Sequence, residues 1–225
     1  MQRPLHIVFL LVAALMLSVG ADPVYAQEEM ASPPDYVVKN SEGREFWLCF
    51  MKNLRSQETR QGRAANLKLQ LFLTSSFNAR VKISIEEIGY ENEIDVRANT
   101  VVNIQIPARA QLRAVETAER LAVHIEADTT IAVYGLNSRF QTTDTFLGLP
   151  VSVIGTEYRV VGYTKLASDL LSAFSIVATE DGTVIEITPT ATTSTGRPPG
   201  VPFKVSLRKG DVYTVGARWQ SIGPC

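Results

Sequence analysis

The chain has 225 residues, of which 45% are apolar, 20% charged and 8% aromatic, and its formal net charge is −1. That composition excludes a disordered or collagen-like chain, and 2 Cys cannot staple a protein of this length into a disulfide scaffold. Charge is nearly balanced, so nothing favours nucleic acid or anionic lipid as a partner.

At the N-terminus, Arg3 precedes an unbroken apolar run, Ile7–Leu17, and Val24-Tyr25-Ala26 places compact residues before Gln27. This is the order of a secretory signal. The run falls well short of the roughly 20 residues needed to span a bilayer. Residues 1–26 therefore read as a cleaved signal peptide, with a secreted or cell-surface destination and no transmembrane segment left after cleavage. Residues 27–42 are polar, contain Pro33-Pro34 and read as a linker.

From Gly43 onward, period-two alternation dominates. Leu67, Leu69, Leu71 and Leu73 alternate with Lys68 and Gln70, and Val81, Ile83 and Ile85 with Lys82 and Ser84. The same pattern runs through Val102–Ile106, Val123–Glu126 and Phe203–Leu207. Such segments bury one face and wet the other, as antiparallel strands do. Turn formers punctuate them at Ser75–Asn78, Ala127–Thr129, Glu180–Gly182 and Lys209–Asp211, each read as a hairpin tip. Helical signal is thin, with room for a turn or two in Ala108–Leu121 and Thr164–Ser172. The expected fold is all-β, built from antiparallel β-sandwich-like repeats.

The repeat rests on two alignments. Leu73–Ile83 aligns without gaps on Val177–Ile187, 104 residues later, and Val96–Ile104 aligns on Leu207–Val215, 111 residues later. A first unit of about 43–165 and a second of about 166–225 follow. The second is expected to be incomplete, because its counterpart of the Leu121–Gly135 hairpin would begin at about residue 230. Val205, Leu207 and Val215 would then show apolar surface near a C-terminal edge.

Chemistry-bearing motifs are few. His124 is the sole histidine after residue 26 and sits mid-strand, with no Gly-x-Ser-x-Gly elbow to serve. No phosphate loop, dinucleotide fingerprint, zinc spacing or dedicated calcium loop occurs, although Asp128, Asp144 and Asp181 carry calcium-type ligands. Glu180-Asp181 offers the paired acids of a carboxylate-based hydrolase, but at a turn where acids are ordinary. No enzyme, cofactor or metal site is expected. Cys49 and Cys225 fit a disulfide in an oxidising compartment, and Cys49 in its apolar flank fits a buried free thiol equally. The stretch Val133–Pro150 loses alternation and gathers Asn137, Arg139, Phe140 and Asp144 on an apparent connection. These four form the candidate binding surface; their alternative role is to bond backbone and plug the core at a sheet corner.

Gly43–Leu48, Tyr134–Asn137, Thr143–Pro150, Gly155–Tyr158, Ile176–Thr183 and Leu207–Tyr213 together resemble the IgG Fc-binding protein N-terminal domain family. The resemblance covers about residues 43–225. It implies an exported, β-rich, non-enzymatic domain that runs on past this chain, and the absence of any Asn-x-Ser/Thr favours a bacterial source. No residue motif for Fc binding is carried over. The expected function is an exported adhesion or binding module taking a protein or glycan ligand, with a structural spacer in a large surface protein as the alternative.

Overall fold

Each alternating run is a strand in the computed structural model, which describes residues 40–53, 67–139, 142–162 and 171–217. The expected signal peptide, most of the expected linker, Phe140 and Cys225 lie outside these residues. In chain order the strands are β1 (Gly43–Leu48), β2 (Lys68–Thr74), β3 (Ala79–Ile85), β4 (Tyr90–Val96), β5 (Val101–Ile106) and β6 (Ala118–Glu119). They continue with β7 (Val123–Arg139), β8 (Thr142–Leu147), β9 (Ser172–Val177), β10 (Thr183–Ile187), β11 (Phe203–Leu207) and β12 (Val212–Ala217). Among the described residues there is no α-helix. Single turns of 3-10 helix occur at Glu86–Ile88, Ala108–Ala110 and Val151–Val153.

β7 organises the larger sheet. Its first half lies between β1 and β3, with Trp47 opposite His124 and Ile83 opposite Ile125. Its second half lies between β2 and β8, with Leu71 opposite Gly135 and Gly135 opposite Phe146. β4 extends the first group through β3, and β5 extends the second through β2. One strand thus serves two four-stranded layers, β1-β7-β3-β4 and β8-β7-β2-β5, as strands that switch sheets do in sandwich folds. Their inward residues, among them Phe46, Val81, Ile83 and Ile125 from one layer and Leu69, Leu71, Leu73 and Val133 from the other, form one buried cluster. At about 25 cal/mol per Å² of apolar surface, each fully buried Leu or Ile contributes roughly 1.5–3 kcal/mol before its ordering cost.

Several expectations need correcting. Ala127–Thr129 is not a turn, because β7 runs straight through it. Its polar groups serve neighbours instead: Asp128 Oδ1 accepts from Arg80 N (2.9 Å), and Thr130 O accepts from Ser75 Oγ (2.6 Å). The other three turns are not hairpins either. Ser75–Asn78 joins β2 to β3, Glu180–Gly182 joins β9 to β10, and Lys209–Asp211 joins β11 to β12, yet none of these pairs shares a ladder. Turn residues reverse the chain, but whether it returns to the same sheet depends on where the apolar face must go. The stretch Val133–Pro150 also differs from the long connection expected. It holds the second half of β7 and all of β8.

The remaining strands form β10-β11 and β9-β12-β6, around a second cluster containing Ala178, Ile187, Leu207, Tyr213 and Val215. Leu207 and Val215 are buried, against the expectation that they would show apolar surface. Partly exposed apolar residues are Phe174 and Ile176 on β9, Ile185 on β10, and Phe203 and Val205 on β11, so Val205 alone of the three shows some of the surface expected of it.

Candidate functional site

Alternation in β1 and β7 puts Glu45, Trp47, His124 and Glu126 on the side away from the core. Trp47 and His124 are cross-strand partners, and their rings stack at 3.9 Å with 13° between planes. The indole Nε1 donates to Glu45 Oε1 (2.9 Å), and His124 Nε2 lies 3.1 Å from the same oxygen. Lys209 Nζ is 4.0 Å from Glu45 and 5.4 Å from the Trp47 ring centroid. The Trp47 hydrogen bond, working against partial burial and joined by His124 and Lys209, holds the Glu45 carboxyl below its ordinary range. Trp47, His124 and Lys209 border a cleft of ≈ 560 Å³ with Glu86, Arg120 and Asp181.

Ser84 sits opposite His124 across the β3–β7 ladder, which raises the question of a nucleophile. No hydrogen bond joins them. One imidazole face is stacked on Trp47 and Nε2 is taken by Glu45, so the ring is fixed as a wedge rather than aimed at a hydroxyl. Asp181 Oδ1 accepts from Lys209 N (2.9 Å), tying Glu180-Asp181 into turn chemistry. Among the described residues, no group of three His, Cys, Asp or Glu side chains is placed to hold a metal ion.

A second polar cluster gathers around Glu116, which adopts φ 54°. Its side chain is only 2% exposed. The carboxylate accepts from Arg197 Nε (3.0 Å), Thr195 N (3.3 Å) and the Thr195 hydroxyl. Burial pushes this carboxyl up, but the bonds from Thr195, Thr193 and Arg197 outweigh it and hold it below its ordinary value. Arg197 in turn lies 4.0 Å over the Phe203 ring. This clasp fastens the loop before β11 to the segment before β6, and its partners are satisfied. Cys49 packs against the main core, and burial pushes its thiol up to about 12.

The residues singled out from the sequence separate. Asn137 is buried: its Nδ2 donates to Met51 O (2.7 Å) and its Oδ1 accepts from Asn53 Nδ2 (2.9 Å). It ties the segment after β1 to β7, the corner role open to it, and presents nothing to a partner. Arg139 is half-buried at the end of β7, whereas Asp144 is exposed on β8 opposite Asn137.

Sequence reading missed the outer face of β8-β7-β2-β5. Cross-strand registers place Leu147, Tyr134, Phe72 and Asn103 in one row across it. Tyr134 is 47% exposed and Leu147 43%, and Thr145, Leu136 and Gln70 form the adjacent row. Phe72 stands between Leu71 and Leu73 where alternation calls for a polar residue, but only the register shows which outward residues are its neighbours. An aromatic and aliphatic strip with a polar border is the composition of a protein-binding patch. Among the described residues β8 pairs with β7 alone, so the strip reaches a sheet edge there.

Among known proteins, the family model described as IgGFc binding protein matches residues 144–223, from β8 through β12. A human IgGFc-binding protein is 26% identical over 151 residues, which cover 67% of this chain. No solved structure matches. The stretch shared with the human relative amounts to 3% of that protein's length, so this chain is similar to a small part of a much longer polypeptide.

Proposed function

We propose that this chain is a non-catalytic binding module of a larger exported polypeptide, and that it takes a protein partner on the outer face of β8-β7-β2-β5. The observation that carries this is the outward row Phe72–Tyr134–Leu147, with Tyr134 and Leu147 exposed and Phe72 partly so, set on a sheet above a fully buried core. Tyr and Phe supply large contact area at low entropic cost, which is why such residues dominate binding energy. The signal-like residues 1–26 support export to the cell surface or outside the cell. The name of the human relative supports binding as the general role and makes an immunoglobulin Fc fragment the first partner to try. The His124 cluster supports a non-catalytic reading, since its imidazole is committed to Trp47 and Glu45.

Biolayer interferometry against immobilised Fc, with the chain and its Tyr134→Ala and Leu147→Ala variants, tests this. Binding that weakens about tenfold or more in each variant, with unchanged circular dichroism, is the expected result. Binding indifferent to both variants would move the site off this face. A chain with no measurable affinity would support the spacer reading.

A further inference from the structure

β9–β12 reproduce the ladder of β2–β5 in detail. Ala79↔Val96 through Ile83↔Asn92 on β3–β4 corresponds to Thr183↔Leu207 through Ile187↔Phe203 on β10–β11. Leu69↔Ile106 through Thr74↔Val101 on β2–β5 corresponds to Ser172↔Ala217 through Val177↔Val212 on β9–β12. The crossings between layers match as well. Asn99 N donates to Ser75 O (2.7 Å) as Gly210 N donates to Ala178 O (2.8 Å), and Asn99 and Gly210 both take positive φ. Ala98 N donates to Asn78 Oδ1 as Lys209 N donates to Asp181 Oδ1, each at 2.9 Å. The correspondence requires one extra residue in the second set. Gly182, at φ +70° with open space around it, is that residue, so the alignment is not gapless as the sequence suggested.

The two sets differ at one place. In the first, β7 pairs along the free edges of both β2 and β3 and joins the two layers. In the second, among the described residues, β9 pairs only with β12 and β10 only with β11, so the equivalent edges carry no strand. Apolar exposure differs at three of the four inward positions. Leu71, Leu73 and Val81 are fully buried beside β7, whereas their counterparts Phe174, Ile176 and Ile185 are partly exposed; Ile187, the counterpart of Ile83, is buried. Leu207 corresponds to Val96, which is buried as well, on a strand that β7 does not pair with.

We infer that the edges of β9 and β10 together form an acceptor for one long β7-like strand, and that the strand comes from the same polypeptide, C-terminal to β12. Chain order argues for that source, since β7 follows β5 in the first set and β12 is the counterpart of β5. The register specifies the strand. It runs antiparallel to both β9 and β10 and places a small residue opposite Phe174, as Gly135 lies opposite Leu71. Its first half sets apolar residues against Ile185 and Ile187, as Ala127 and Ile125 oppose Val81 and Ile83. Strand addition of this kind is driven by backbone pairing, with pockets for alternate side chains giving selectivity.

Hydrogen exchange on the 225-residue chain tests the inference, with and without an excess of a synthetic peptide of the Val123–Arg139 sequence. The control peptide carries serine at the positions of Val123, Ile125, Ile131 and Val133. In the chain alone, β9 and β10 should exchange at least tenfold faster than β2 and β3. The β7 peptide should slow β9 and β10 together by a similar factor, and the control should not. Equal protection of the two strand pairs in the chain alone would mean that the edges are already closed and would overturn the inference. A β7 peptide that leaves β9 and β10 unchanged would do the same.

Discussion

Gly135 lies mid-β7 under the Phe146 ring, and its replacement by alanine is a sharp test of the packing between β7 and β8. A Cβ built there would stand 2.2 Å from Phe146 Cζ and 2.5 Å from Cε1, far inside contact distance. The ring cannot simply withdraw, because Phe50 meets it edge-on at 5.8 Å and is itself fully buried. Overpacking of this kind typically costs about 1–3 kcal/mol. Expelling the ring instead forfeits the burial of an aromatic side chain, which sets a similar ceiling of roughly 1.5–3 kcal/mol. Gly135→Ala should therefore destabilise the protein by about 1–3 kcal/mol by either route. In a Phe146→Ala background the clash is gone. Gly135 does not take positive φ, so the same substitution should there stabilise by about 0.4–1 kcal/mol through the unfolded chain. Urea unfolding followed by circular dichroism on the four proteins of the double-mutant cycle measures the sign change. Equal destabilisation in both backgrounds would refute the account, because the cost could then not lie in the Phe146 contact.

The Glu116 carboxyl has its folded-state value held below the unfolded one, so its clasp contributes stability that is present above the unfolded carboxylate range and lost as pH falls through the folded value. Glu116→Gln should cost about 1.5–3 kcal/mol at neutral pH, with the gap to wild type closing in acid; a gap that stays constant with pH would contradict the charge-based clasp. Asn137→Leu strips partners from Met51 O and Asn53 and should destabilise by about 1–3 kcal/mol by thermal or urea unfolding. Cys49, with its thiol pushed up to about 12 by burial, should react with Ellman's reagent at neutral pH only when the chain is unfolded in urea.

The strands and their inward faces were legible because burial imposes period two directly on the sequence, as in Leu69, Leu71 and Leu73. The path of β7 was not legible. Ala127-Asp128-Thr129 has turn composition, but Asp128 caps Arg80 and the neighbouring Thr130 receives Ser75. The polar run marks where one strand passes from layer to layer, and local chemistry does not distinguish that from a turn. The polar clusters were hidden for a related reason. Glu45 meets His124 and Lys209, and Glu116 meets Arg197, across separations that no local motif encodes. Asn137 looked like a surface residue because a buried Asn and an exposed one leave the same sequence trace until partners such as Asn53 and Met51 are placed.

The correspondence between the strand sets also bears on the proposed binding face. Phe72, Thr74, Val101 and Asn103 point outward from β2 and β5, and Val101 is 66% exposed. Their counterparts on β9 and β12 are Ser175, Val177, Val212 and Thr214. That side is covered: Val212 is 1% exposed and belongs to the main core cluster, Val177 packs against it, and Thr214 is 6% exposed. β6 pairs along β12, and Arg120 reaches both Glu86 and Asp211 at the same seam. The outer face of this strand arrangement therefore already buries protein surface once within the molecule. On β9–β12 its residues are small or β-branched and lie under neighbouring strands. On β2 and β5 it carries Phe72 beside Tyr134, with nothing from the described residues burying Tyr134 or Val101. The same geometry, given aromatic residues and left uncovered, is suited to burying surface from a partner.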